Sequence, residues 1–170
     1  MFRQVILPPG IAGVLFLHSM PGRYEPINQF NAEITRLCVR RIICLAPLDE
    51  IKRKSEHYFL AIQTGDLPCE HESFKVQDFQ APDDRKGFFK LVKDVAHRLE
   101  SGEKILIHCA GGVGRTGMLA VCVLLALGIE LQEALTTVSQ SGSHLETEKQ
   151  LALVRWVAGQ FQGTRGTQGS

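Results

Sequence analysis

"HCAGGVGRTG", residues 108–117, lies between "KILIH" (104–108) and "MLAVCVLLAL" (118–127). The first run is short and rich in β-formers, which predicts a buried strand. The second is apolar all round, which predicts a helix in the middle of a domain. The turn joining them holds one cysteine, four glycines and one arginine. Residues 112–117 spell GxGxxG, but a dinucleotide fold expects a following strand that ends in an acidic residue. Here "GIELQEAL" (128–135) reads as another helix, and Glu130 has no strand to sit on. The nucleotide P-loop needs Lys and then Ser or Thr after its last glycine, and Arg115 is no substitute. A bare tight turn explains the glycines but neither the cysteine at the strand end nor the arginine at the helix start.

A phosphate cradle explains the whole set. Backbone N–H groups of a glycine-rich loop can all point inward and form an anion nest. The helix starting near Arg115 adds the positive end of its dipole. Thiols in such settings ionise more readily, with pKa values moved from about 8.5 to roughly 3.5–7.5. Residues 110–114 (Ala110, Gly111, Gly112, Val113 and Gly114) would present their amides to a phosphate. Arg115 would grip two of its oxygens, a bidentate fit that lysine lacks. Glycines are required because side chains would obstruct the loop and its backbone angles. Cys109 is then a nucleophile placed beside its anionic substrate.

The rest of the chain reads as one α/β domain over residues 1–162, with a tail over 163–170 ("GTRGTQGS") that has nothing to bury and is expected to be disordered. "GVLFLHSMPG" (13–22) predicts a strand ending in a Pro-Gly turn. Ile27, Phe30, Ile34, Leu37 and Cys38 predict a helix from about Pro26 to Arg40, with proline at its first turn. "RRIICLAPL" (40–48) is a continuous apolar run, as in a strand covered on both faces. Residues 49–72 are polar and mixed, with "SEHYFLAIQTG" (55–65) a short-helix candidate. "SFKV" (73–76) alternates like a strand. "QDFQAPDD" (77–84) breaks as a loop, and Pro82, Asp83 and Asp84 can start the next helix. That helix buries Phe88, Phe89, Leu91, Val92, Val95, Ala96 and Leu99 and stops at Ser101-Gly102. Two more helices are expected, at about 131–140 and 146–161. Strands alternating with helices predict a central, mainly parallel sheet of about four to five strands with helices on both faces.

The composition narrows the function classes. The chain has 170 residues, is 44% hydrophobic and 22% charged, and has a formal net charge of +1. No global field attracts nucleic acid or membrane, so anion binding must be local. The cysteines at 38, 44, 69, 109 and 122 are odd in number and show no CxxC spacing, which fits a reducing compartment and gives no zinc pattern. "IAGVLFL" (11–17) is too short for a signal core, lacks a cleavage site after it, and reads as a strand. No run approaches a membrane span. A cytoplasmic monomer without metal or cofactor is expected.

The string His-Cys-x-x-Gly-x-x-Arg-Thr-Gly resembles the signature loop of cysteine-dependent protein tyrosine and dual-specificity phosphatases, with no mismatch at its defining positions. The order of elements over residues 11–161 is similar to that of small bacterial phosphatases of the dual-specificity type. The resemblance implies a protein tyrosine phosphatase-like fold and a phosphomonoesterase that passes through a cysteinyl-phosphate. The substrate would be a phosphorylated protein or peptide, carrying phosphotyrosine and also phosphoserine or phosphothreonine, because no large tyrosine-recognition insert is present. It implies Cys109 as nucleophile, Arg115 as phosphate grip and His108 as a residue ordering the loop.

Thr116 would donate its hydroxyl to the sulfur as it leaves. The general acid lies in a stretch resembling Pro-Asp-Phe-x-x-Pro. Asp78-Phe79-Gln80-Ala81-Pro82 matches it, with Gln77 where proline is usual, and Asp83 is the second candidate. "HLETEKQ" (144–150) is similar to the family's Ile-Glu-Thr-x-x-Gln segment, which makes Gln150 a water-positioning candidate. Three alternatives share the fold. Phosphoinositide or inositol phosphate phosphatases usually carry lysines between Cys and Arg, whereas residues 110–114 are neutral. An RNA triphosphatase would need a basic tract for RNA. A phospho-binding module without turnover would not need Cys109, Arg115 and Asp78 together.

Overall fold

Strand and helix alternate along the chain, and a computed structural model describes residues 1–165. The strands are β1 (Arg3–Val5), β2 (Val14–His18), β3 (Arg41–Cys44), β4 (Glu70–Ser73) and β5 (Lys104–His108). The helices are α1 (Ile27–Leu37), α2 (Leu48–Lys54), α3 (Glu56–Thr64), α4 (Arg85–Glu100), α5 (Gly114–Ala126), α6 (Leu131–Gln140) and α7 (Glu148–Arg165). They form one sheet in the order β1-β2-β5-β3-β4. β2, β5, β3 and β4 run parallel, and β1 joins the edge antiparallel to β2. The expected mainly parallel sheet with helices on both faces is therefore present.

The pleat sends alternate strand residues to opposite faces. Leu15, Leu17, Ile43, Leu45, Ile105 and Ile107 enter the large core built with α4, α5, α6 and α7. Phe16, Ile42 and Leu106 point the other way, onto Phe30 and Ile34 of α1. Cys44 continues that second face and packs with Ile51 of α2 and Tyr58 of α3. Every residue from Gly114 to Leu125 is buried, so the all-apolar α5 is the central helix of its layer.

Several boundaries differ from the sequence expectation, each for a local reason. α1 stops at Leu37 because Cys38 turns left-handed (φ 57°) and its N–H bonds back to Ile34 and Thr35. α2 occupies residues that read as polar and mixed. β4 lies three residues earlier than "SFKV": as an edge strand it alternates without an apolar face. Its glutamates instead pair with Arg41 of β3, Glu70 at 2.5 Å and Glu72 at 3.7 Å, and charged edge strands resist pairing with other chains. The "SFKV" backbone still follows β3, since Phe74 N–H and Val76 N–H donate to the carbonyls of Cys44 and Leu45, each at 2.9 Å. β1 carried too few residues to show a pattern. α7 runs to Arg165, past the expected domain end at 162. The remainder of the 163–170 tail, residues 166–170, lies outside the described residues.

Candidate active site

Parallel strands gather their C-terminal ends at one edge of the sheet, where ligands of open α/β folds bind. His18, Cys44 and His108 lie level there, on β2, β3 and β5. Residues 109–113 leave β5 at this edge, and α5 begins at Gly114. Cys109 is 3% exposed, and its Sγ accepts the Gly112 N–H at 3.3 Å. Gly112 has φ +73°, and a Cβ there would run into the His18 carbonyl. Both conditions admit glycine alone. The Ala110 carbonyl accepts Met20 N–H at 3.1 Å, which ties the loop to the turn after β2.

Arg115 projects from the first turn of α5 and is 1% exposed. Its Nη1 donates to Glu50 Oε2 (2.7 Å) and to the Val76 carbonyl (3.0 Å). Its Nη2 donates to Glu50 Oε1 (3.1 Å) and lies 2.9 Å from Asp78 Oδ1. Nε remains buried without a hydrogen-bond partner among the described residues. A buried guanidinium N–H left unpaired is costly, and this one belongs to the arginine assigned to the phosphate. Burial works to raise the Glu50 pKa, but the hydrogen bonds from Arg115 and Lys54 prevail and bring it down to about 2.

His108 sits behind the loop. Its Nδ1 lies 3.0 Å from the Cys109 carbonyl and its Nε2 2.8 Å from Tyr58 Oη. The carbonyl can only accept, so Nδ1 carries the proton and Nε2 accepts from Tyr58. Complete burial pushes the His108 pKa down to about 3, which keeps the ring neutral. The ligand atoms of Cys44, His71 and His108 fall within 4.8 Å of one another. Both ring nitrogens of His108 are already in hydrogen bonds, and burial pushes the Cys44 thiol up to about 12. The group is thus set as a neutral, protonated cluster rather than as a ready ligand set.

The structure brings Asp78 onto Arg115, 2.9 Å from its Nη2, and Cys109 opens the loop that leads into the first turn of α5, which carries Arg115. Asp83 is elsewhere: its carbonyl accepts Arg85 N–H at 3.1 Å as α4 starts, and the neighbouring Asp84 caps α4 through Gly87 N–H at 2.8 Å. The Thr116 hydroxyl is buried without a partner among the described residues, and the sulfur accepts the Gly112 N–H. Gln150 is fully buried. Its Oε1 accepts Glu146 N–H (2.8 Å), and its Nε2 makes a long 3.5 Å contact to the Gln80 carbonyl, which sets it against the loop that carries Asp78. Glu50 and Arg3 were missed. Glu50 lies in the stretch whose pattern is mixed, and its only sequence signal is the i, i+4 spacing to Lys54, which marks a helix face and no site.

Kinase associated phosphatase, solved with its catalytic-site cysteine changed to serine, is similar over 95% of this chain and 96% of its own, with TM-score 0.81 and 18% identity. Tk-PTP in its active form matches 92% of this chain and 96% of its own, with TM-score 0.70 and 23% identity. PTPMT1 in complex with PI(5)P matches 89% and 94%, with TM-score 0.71 and 15% identity. These likenesses show the fold. The family model described as "PTP-SAK: Swiss Army Knife protein, DSP-PTPase phosphatase domain" matches residues 15–165. With the cysteine–arginine loop of that fold complete at the end of β5, the chain belongs to the DSP-PTPase phosphatase domain family and is a hydrolase of the dual-specificity type.

Proposed function

We propose that the chain removes phosphate from phosphotyrosine, and also from phosphoserine or phosphothreonine, in proteins or peptides. The observation that carries the reading is the division of labour on Arg115. Glu50 and Val76 hold one side of the guanidinium, Asp78 lies on Nη2, and Nε is the buried donor without a partner. A phosphoryl group accepting from Nε and Nη2 would take the place of Asp78 on the arginine. The carboxyl so displaced is then beside the ester oxygen that must leave.

In the first step the Cys109 sulfur forms a bond to phosphorus and the P–O ester bond breaks. The electron pair leaves with the ester oxygen, which takes a proton from Asp78. Amides of residues 110–114 and the N-terminus of α5 take up the charge that develops on the phosphoryl oxygens. In the second step water attacks phosphorus, the P–S bond breaks and Asp78 recovers a proton, while Thr116 donates to the departing sulfur and Gln150 helps place the loop and the water. The products are the alcohol or phenol and inorganic phosphate, with no metal or cofactor required. Five cysteines without a disulfide support a reducing, cytoplasmic setting.

The neutral residues 110–114 offer no side-chain cation to the further phosphate of an inositide, which in PI(5)P is the diester that joins the ring to the lipid. The test is relative kcat/KM on phosphotyrosine peptide, phosphothreonine peptide and PI(5)P vesicles, with chelator present. Higher values on peptides are expected; a preference for PI(5)P would overturn the protein reading and leave the chemistry standing. Cys109→Ser should abolish turnover yet retain phosphopeptide binding. Asp78→Ala should lower kcat by roughly 10²–10⁴; an unchanged kcat would remove Asp78 from its role.

A further inference from the structure

Arg3 lies at the far end of the sequence from the loop and reaches it from outside. Its Nη2 donates to the Gly112 carbonyl at 2.6 Å. Its Nη1 donates to the Gly142 carbonyl and lies 3.2 Å from Ser143 Oγ and 3.4 Å from the Ser141 carbonyl. Ser143, fully buried, donates its own hydroxyl to the same Gly112 carbonyl at 2.6 Å. Two side chains, one of them charged, thus converge on a single carbonyl of the loop. One planar fork spans two segments, the loop and the turn after α6, which a single-point donor could not do.

The geometry points to Arg3, acting with Ser143, as a positioning residue of the catalytic loop. In a trans peptide the C=O and the next N–H point in opposite directions. Holding the Gly112 carbonyl outward therefore turns Val113 N–H to the side of the loop away from Arg3 and Ser143, where a phosphoryl oxygen would accept it. Gly112 itself is the left-handed residue whose N–H meets the Cys109 sulfur. A glycine peptide has little steric preference of its own, so without an external grip this unit can rotate. Arg3 is also a second cation at the loop beside Arg115: its guanidinium sits on the carbonyl of the same Gly112 whose N–H meets the Cys109 sulfur.

This inference rests on the phosphatase reading, and the test separates the two. Turnover of para-nitrophenyl phosphate and the inhibition constant of orthovanadate are measured for wild type, Arg3→Gln, Arg3→Lys and Ser143→Ala. A wild type without turnover would sink the phosphatase reading itself. With an active wild type, Arg3→Gln should weaken vanadate inhibition and lower kcat/KM, each by roughly ten- to a hundredfold, as expected for a lost hydrogen bond from a charged donor. Arg3→Lys should recover part of that loss through its charge, and Ser143→Ala should move both quantities in the same direction. The inhibition constant does not depend on how much protein is folded, so a merely structural effect would reduce the rate and leave vanadate affinity alone. Unchanged vanadate affinity in Arg3→Gln and Ser143→Ala would overturn the proposal. Should Arg3→Gln not fold, Arg3→Lys and Ser143→Ala decide it by the same criterion.

Discussion

Glu50 shows what one residue does at this site. It is 5% exposed and takes both Nη atoms of Arg115, while Lys54 Nζ reaches its Oε1 at 2.7 Å. Removing one partner of a buried pair costs on the order of 3–5 kcal/mol when the other charge is left alone. Arg115 keeps Asp78 as a neighbour, so Glu50→Gln should lie at or below the lower end of that range by urea denaturation. Its kcat/KM should fall by more than tenfold as the guanidinium loses its aim. The pH dependence follows from the depressed pKa. The carboxylate stabilises the fold fully above its ordinary pKa of 4.5 and loses that contribution as pH falls toward about 2. Glu50→Gln should therefore be flatter than wild type between pH 4.5 and 2; an unchanged acid limb would refute the assignment. Cys109, Arg115 and Asp78 were legible because their spacing within and before one loop is itself a pattern. Glu50 and Arg3 were not, because they meet the loop only through folding, 65 and 109 residues away in sequence from their partners.

At the scale of elements, the loop from Gln77 to Asp84 is held at both ends. Phe79 follows Asp78 with φ 58°, a backbone conformation uncommon outside glycine, and its ring is 54% exposed. Lys149 Nζ donates to Gln80 Oε1 at 2.7 Å, so the start of α7 clasps the loop that carries Asp78. Asp84 closes the other end as the cap of α4. Asp84→Ala should cost about 1 kcal/mol, seen as a fall of roughly 2–4 °C in Tm for a chain of this size. A Tm equal to wild type would mean that the cap adds nothing. The amphipathic α4, the apolar α5 and α6 were legible because burial on one side, or on all, leaves a period in the sequence. α2 and β4 were not: α2 has only seven residues and buries only Glu50 and Ile51, too few to leave a period, and β4, at the sheet edge, satisfies its side chains with the charges of Arg41 rather than with a core. The left-handed Phe79 left no sequence signal, since the residue type does not announce the angle.

For the whole molecule, acid should act first through buried histidines. His18 is 1% exposed, packed between Phe2 and Phe30 at ring distances of 4.6 and 5.3 Å, with Nδ1 2.7 Å from the Ser19 carbonyl. Burial pushes its pKa down to about 4, as it pushes His108 down to about 3. Both are neutral in the fold and take up a proton near 6.5 once unfolded. The unfolded state then binds more protons throughout the window from 6.5 to about 4, so stability falls as pH falls. Each group contributes a slope of up to about 1.4 kcal/mol per pH unit, and two together up to about 2.7. Between pH 6.5 and 5 the paired Glu50 remains ionised in both states, which leaves this interval to the histidines. His71, whose pKa burial also lowers, adds to the same slope, so the urea midpoint should drop steadily from pH 6.5 to 5, and His18→Asn should make that drop shallower without abolishing it, whatever its effect at pH 7. His18 lies level with Cys44 and His108 at the sheet edge that bears the loop, so the same protonation that destabilises the fold would loosen the site. A midpoint independent of pH in this window would show that these rings are not held neutral by burial, and the packed edge behind the loop would need another account.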